Sequence, residues 1–442
     1  MKEEFLYVDK EGYSKLVNHL ENRNSELNAF NFIDKTEKEG KIISVKDNIC
    51  VQGIPATASS KVLSGYVPNF NATVVDRLQK NGFAVVGKTN MDEFGFGSFG
   101  INSDKIAHNP FDQRYVAGGS SSGSAIATAI IKNHISIAES TGGSISTPAS
   151  FCGVVGLTPT YGAISRYGLI DYANSLDKIG VMGRNSESLK YVMNIVSGQD
   201  EKDTTSVSNT LEEVRKDKLY VIDNFTKNIN QTVLDRFEEL LSRFSSDGYK
   251  IEHVKIDNLD YSLPAYYILS MAEASTNLAK YQGFKYGHKL KQFSMGYNEF
   301  FTEARKDFGM EAKRRIILGT FIRGKSFKQK YYEKALSIRA EIIKRMKSFL
   351  KEGFIISPTA PILTPKIDEV KDITPVEEYS MDMLTIPPNL CGFPHISFPY
   401  NYEKGLPLGA QLITDHFNDY ALLDFVSHWE EGFKYRFAEE IS

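Results

Sequence analysis

The period of apolar and polar positions changes several times along the chain, and each change marks an element. In the first 40 residues Leu16, Leu20 and Leu27 recur at helical spacing among polar neighbours, which predicts an amphipathic helix flanked by polar loops. From Lys41 short β-branched runs take over. IISVKDNI (42–49) and FAVVGKTN (83–90) read as strands, with TVVDRLQKNG (73–82) as a helix between them. Strand, helix, strand with glycine at the junctions is the grammar of an α/β sheet. Residues 95–170 are rich in Gly and Ser, but the runs GGSSSGS and TGGSIS abut the apolar segments AIATAII and HISIA, so a flexible linker fits poorly. Small residues wedged between strand and helix usually aim backbone N–H groups at a common point. From about 210 to 350 the period is helical with many charges, and after 350 FIISPTAP, HISFPY and LGAQLIT again read as strands. A sheet entered early and completed late predicts one α/β domain over 1–442. It has an N-terminal helical segment over 1–40 and a helical excursion over about 210–350.

Composition narrows the class. The chain has 442 residues, 41% hydrophobic and 24% charged, enough to bury a sizeable core. Lys plus Arg number 52 against 55 Asp plus Glu, a net charge of −3, which argues against a dedicated nucleic-acid binder. Locally, Lys280 to Lys347 carries 18 basic and 6 acidic residues. That stretch is either a set of solvated helix faces or a surface for RNA or an acidic partner. Cys50, Cys152 and Cys391 lie far apart, implying neither a disulfide framework nor a zinc site. No apolar run approaches a membrane span and the N-terminus has no signal-peptide core, so a cytosolic chain without membrane contact is expected.

Gly95-Phe96-Gly97-Ser98-Phe99-Gly100 matches a dinucleotide fingerprint on paper, but no strand leads into it and a polar loop follows. No P-loop, H-E-x-x-H helix or G-x-S-x-G elbow is present. None of the histidines sits in a glycine-framed turn, and His134, at the head of an apparent strand, reads as structural. What remains is serine chemistry without histidine. Ser144 follows Thr141-Gly142-Gly143, whose small residues let several N–H groups converge as an oxyanion hole. A serine hydroxyl needs a base, and a desolvated lysine is the natural candidate. Lys46 lies within the apolar strand IISVKDNI, where a lysine is either edge-exposed or buried for a purpose.

Longer motifs carry a family resemblance. SVKDNICVQGIPATASSKVL, AGGSSSGSA, TGGSISTPASFCGVVGLTPTYGAISRYGLI, SLDKIG, EAKRRIILGTF, PTAPIL, MLTIPPNLCGFPHISFP and GLPLGAQLI follow one another in an order that resembles the amidase signature family. Within it, the chain most resembles the glutamine-hydrolysing subunits of tRNA-dependent amidotransferases. The resemblance implies a central mixed β-sheet covered by helices on both faces. It also implies a triad in which Ser144 is the nucleophile, Ser120 a bridging serine after a cis peptide, and Lys46 the base. Backbone N–H groups at Thr141, Gly142 and Gly143 would hold the oxyanion. Arg315 would clamp the glutamine α-carboxylate, Asp382 its ammonium, and Tyr266 would line the site. No cofactor is implied in this chain; ATP and magnesium are expected in a partner B subunit. A misacylated tRNA brought by the complex and a small C subunit are the other expected partners. One departure stands out. The family's loop reads D-T-G-G-S-I-R, and here its acid and base are replaced by Ser140 and Ser146, which implies a rebuilt loop support. A third glycine of the bridging-serine loop is Ser122. A free-standing amidase and a catalytically weakened scaffold are the alternatives.

Overall fold

The computed structural model describes residues 5–208, 211–287 and 294–438. Residues 1–4 of the expected N-terminal segment, and 210 and 288–293 of the expected excursion, lie outside the described residues. Among the described residues twelve strands form one mixed sheet. They are Tyr7–Val8 (β1), Phe30–Ile33 (β2), Gly40–Lys46 (β3), Phe83–Thr89 (β4), Ile135–Ser140 (β5), Val155–Thr158 (β6), Lys178–Gly183 (β7), Lys218–Ile222 (β8), Lys250–Val254 (β9), Phe354–Pro358 (β10), His395–Glu403 (β11) and Leu406–Ile413 (β12). The spatial order is β2-β4-β3-β5-β7-β6-β11-β12-β10-β8-β9, with β1 pairing beside β3.

Strand alternation sends side chains into two cores. Ile43 and Val45 of β3 join a cluster with the helices Thr73–Gln79, Ser186–Val196, Gln231–Ser246 and Asp419–Gly432, whereas Ile42 joins the helices Lys10–Leu27 and Ser122–Ile130 on the opposite face. Helices therefore cover both faces, and the α/β architecture is as expected. The helix Lys10–Leu27 buries Leu16, Leu20 and Leu27 together with Tyr13 and Val17. Asp9 caps it by accepting the Gly12 N–H at 2.8 Å.

Two boundaries differ from the sequence reading. The first 40 residues are not only helix and loop, because β1 and β2 join the sheet. The stretch 210–350 also contributes β8 and β9, which end the sheet on that side. The apolar core of β8 is only Leu219 to Ile222, and β9 is an edge strand with partly exposed side chains, so neither shows a clear period. The excursion proper comprises the helices Ser262–Asn277, Tyr297–Arg305, Met310–Arg323 and Lys334–Leu350; the first, third and fourth of these pack in a third apolar cluster. All three cysteines are free and buried. Among the described residues no helix is long and apolar enough to cross a membrane.

Candidate active site

The site is built at the carboxyl ends of two parallel neighbours, β3 and β5, the edge where α/β sheets commonly present their ligand groups. Lys46 ends β3 and Glu139 lies next to the end of β5, so the register Val45↔Ile137 sets them side by side. Lys46 is fully buried, which decides between the two readings of a lysine in that strand. Its Nζ donates to Ser120 Oγ at 2.8 Å, to the Glu139 carbonyl at 3.0 Å and to Glu139 Oε2 at 2.9 Å. Asn48 Nδ2 also donates to Glu139 Oε2, at 3.1 Å.

Ser120 follows a cis Gly119–Ser120 peptide and precedes the helix Ser122–Ile130. No side chain other than hydrogen fits at Gly119, where a Cβ would lie 2.0 Å from Asp92 Oδ2. Asp92 accepts from the backbone of Gly100 and Asn102, and burial pushes its carboxyl up to about 7. Ser122, in place of the expected glycine, is buried and its hydroxyl has no partner among the described residues.

Ser144 stands where β5 turns into the helix Ser146–Cys152. Its carbonyl accepts the Ser121 N–H at 3.1 Å, which ties the two serine loops together. Its hydroxyl makes no hydrogen bond among the described residues. The structure thus joins Lys46 to Ser120 directly and brings Ser144 to them through backbone. The N–H groups of Thr141, Gly142 and Gly143 likewise donate to no group among the described residues, leaving them available to an oxyanion. Thr385 Oγ1 donates to the Gly142 carbonyl at 2.8 Å, fixing the loop. Gly142 must be glycine: a Cβ there would lie 2.4 Å from Tyr266 Oη.

Beyond Tyr266 lies an aromatic chamber. Tyr266 packs edge-on against Tyr267, and Tyr267 stacks on Tyr379 with ring centroids 4.1 Å apart. The Arg315 guanidinium lies 4.8 Å from the Phe96 ring centroid and within 5.5 Å of those of Tyr172, Tyr267 and Tyr379. It donates to Tyr172 Oη and, at 2.7 Å, to Glu311 Oε1, which also accepts from Tyr379 Oη at 2.6 Å. Asp382 Oδ2 accepts from Ser98 Oγ at 2.8 Å and Tyr267 Oη at 2.9 Å. Burial pushes the Asp382 carboxyl up to about 7 against those two hydrogen bonds. Tyr267 therefore touches both charges, and the chamber holds a cation and an acid at a shared ring.

Several of these groups are not apparent from local sequence. Glu139 carries a weak signal, a carboxylate inside the apolar run ISIAES. Tyr172, Tyr267, Tyr379, Thr385 and Glu311 carry none, because their contacts join distant parts of the chain. The rebuilt loop support is only partly visible. Ser140 Oγ reaches Asn389 Oδ1 at 3.4 Å, and Ser146 Oγ is buried without a partner among the described residues. Directly across from Ser140 on β7 stands Lys178, whose Nζ is likewise buried without a partner and whose ammonium is pushed down to about 7 by burial.

Comparison with known proteins places the chain in a family. The chain matches the amidase family model over residues 34–423. It is 39% identical over 408 residues to the A subunit of the glutamyl-tRNA(Gln) amidotransferase of Sulfolobus acidocaldarius, covering 90% of this chain and 86% of that protein. It is 37% identical over 444 residues to the corresponding protein of Clostridium novyi, covering 97% and 89%. The crystal structure of the same amidotransferase component from Thermotoga maritima matches with a TM-score of 0.81 at 34% identity, over 98% of this chain and 96% of that one. A 6-aminohexanoate cyclic dimer hydrolase, at 20% identity and a TM-score of 0.80 over 96% of this chain and 94% of that one, shares the fold. With the match spanning both serine loops, the lysine strand and the sheet that aligns them, the chain belongs to the amidase family.

Proposed function

We propose that this chain is the glutaminase subunit of a tRNA-dependent amidotransferase, releasing ammonia from glutamine through Ser144, Ser120 and Lys46. The observation that carries the reading is the pair of opposite charges, Arg315 and Asp382, on one tyrosine beside the serine–lysine cluster. An amino-acid zwitterion needs one guanidinium and one carboxylate; a general amidase needs neither. Arg315 takes the α-carboxylate, Asp382 the ammonium, and Tyr266 lines the path to Gly142. Ser144 Oγ attacks the carboxamide carbon while its proton passes to Ser120 and that of Ser120 to Lys46. The N–H groups of Thr141, Gly142 and Gly143 hold the oxyanion. Ammonia leaves, and water then frees glutamate from Ser144.

The ammonia serves a partner B subunit that uses ATP and magnesium to activate a misacylated Glu-tRNA(Gln) or Asp-tRNA(Asn), with a C subunit joining the two. The names of the relatives from Sulfolobus, Clostridium and Thermotoga support this placement. The test is ammonia release from glutamine by the chain alone and with B and C subunits, ATP and misacylated tRNA. Turnover that rises steeply with the complete system supports the reading; equal turnover of many simple amides by the chain alone replaces it with a free-standing amidase. Ser144→Ala abolishes turnover and leaves complex formation intact, and near wild-type turnover by Lys46→Ala overturns the triad.

A further inference from the structure

An ammonium has three protons and no lone pair. The Lys46 ammonium finds an acceptor for each: Ser120 Oγ, the Glu139 carbonyl and Glu139 Oε2. In that state it cannot take a proton from Ser120. Lys46 is fully buried, so the proton it must lose has no direct route to water. Of its three acceptors only the carboxylate can hold a proton.

Glu139 is the acid in contact with Lys46, and a second acid is linked to it through one hydroxyl. Its Oε1 accepts from Thr141 Oγ1 at 2.7 Å, and the same hydroxyl lies 2.9 Å from Asp177 Oδ1. One hydroxyl proton cannot serve two carboxylates at once, so keeping both bonds to Thr141 Oγ1 requires one of the two acids to be neutral. Burial, reinforced by the nearby charge of Glu139, raises the Asp177 carboxyl well above the usual carboxylate range. The charged and titratable groups around the pair are Lys46 on β3, Asp177 before β7 with Arg166 beyond it, and Asp92 beneath Gly119.

We propose that Glu139 is a fourth member of the proton relay, holding the proton that Lys46 gives up so that the buried ion pair is itself the competent resting state. This rests on the triad reading above. In the first step a proton moves from Lys46 Nζ to Glu139 Oε2, turning ammonium and carboxylate into amine and acid. As Ser144 Oγ bonds to the amide carbon, its proton passes to Ser120 Oγ and the Ser120 proton passes to Lys46 Nζ. The relay then carries one extra proton, balanced by the oxyanion. When the C–N bond breaks, Lys46 returns that proton through Ser120 to the leaving nitrogen. Water repeats the cycle on the acyl-enzyme, and the ion pair is restored.

The test is the pH dependence of kcat for glutamine in the assembled complex, for wild type, Glu139→Gln, Glu139→Asp and Ser144→Ala, with thermal melts reporting the fold. Glutamine keeps the shape of Glu139 but has one acceptor oxygen where Glu139 has two, and it cannot take the proton. The relay predicts that Glu139→Gln lowers kcat at pH 7 by about 100-fold, within the range expected for losing general-base assistance. It also predicts that the acid limb moves to higher pH, because Lys46 must then discharge to solvent. Glu139→Asp restores part of the rate with the limb near its wild-type position. The proposal is overturned if Glu139→Gln keeps or raises the rate at pH 7, or moves the limb to lower pH, as expected were Glu139 only a counter-charge holding Lys46 protonated. Should Glu139→Gln fail to fold, Glu139→Asp decides: a reduced kcat with the limb kept supports the relay, and a wild-type profile overturns it. Wild-type turnover by Ser144→Ala would strike the triad reading instead.

Discussion

Replacing Lys178 with methionine should stabilise the protein, and by an amount that depends on pH. The side chain is buried at 3% exposure with its Nζ unpartnered among the described residues, so the substitution removes a charge and orphans no hydrogen-bond partner. Burial lowers the ammonium from an ordinary value of 10.5 to about 7. In the unfolded chain it stays protonated to far higher pH, so between these values the unfolded state binds the extra proton and is favoured. Each tenfold loss of proton affinity is worth about 1.4 kcal/mol, which sets an upper bound of about 5 kcal/mol at pH 7. Relaxation around a buried charge leaves several kcal/mol of that. Against total stabilities of about 5–15 kcal/mol the gain would be large. The penalty fades with pH: the wild type recovers stability as pH rises from about 7 toward 10.5, whereas Lys178→Met does not. Urea unfolding of both proteins at pH 7, 8 and 9 measures the gap, and other titrating groups cancel in the difference. It should favour the variant at pH 7 and narrow by about 1.4 kcal/mol per pH unit. A gap independent of pH, or a less stable variant at pH 7, would refute the reasoning.

Three further substitutions probe the site. Arg315→Lys keeps the charge but loses the planar fork, so KM for glutamine should rise about tenfold or more while turnover of an amide lacking the α-carboxylate is unchanged; equal losses on both would mean that Arg315 only supports the fold. Because burial holds the Asp382 carboxyl up to about 7, it binds an ammonium only once ionised, so KM for glutamine should fall as pH rises through about 7. Asp382→Asn should abolish that dependence, and a wild-type KM profile in the variant would remove Asp382 from the site. Thr385→Val deletes the hydrogen bond to the Gly142 carbonyl. A loss of about 1 kcal/mol in loop placement should appear as roughly fivefold in kcat with KM held, and unchanged kcat would show that the loop needs no such tie.

The residues legible in the sequence are those whose local surroundings are distinctive. Lys46 is a charge inside a β-branched run, while Ser120 and Ser144 sit among small residues between a strand and a helix. The chamber is less legible because its contacts are long-range: Arg315 meets Tyr172 across 143 residues and Tyr267 meets Asp382 across 115. No local period records such a meeting. The strands β8 and β9 are hidden for a different reason, since one is short and the other is an edge with little to bury.

The altered loop shows what a position-by-position comparison misses. Read as text, an acid expected at 140 is absent and a serine stands in its place. On a strand, neighbouring side chains point to opposite faces. Ser140 faces Asn389 and lies across from Lys178, whereas Glu139 faces Lys46 and Ser120. Glu139 therefore does not stand in for the acid expected at 140, because the two positions face opposite sides of the sheet. One face holds Lys178, unpartnered among the described residues, and the other sets a carboxylate against Lys46. Ser140→Asp would return an acid to the first face, where pairing with Lys178 should cancel most of the advantage of Lys178→Met.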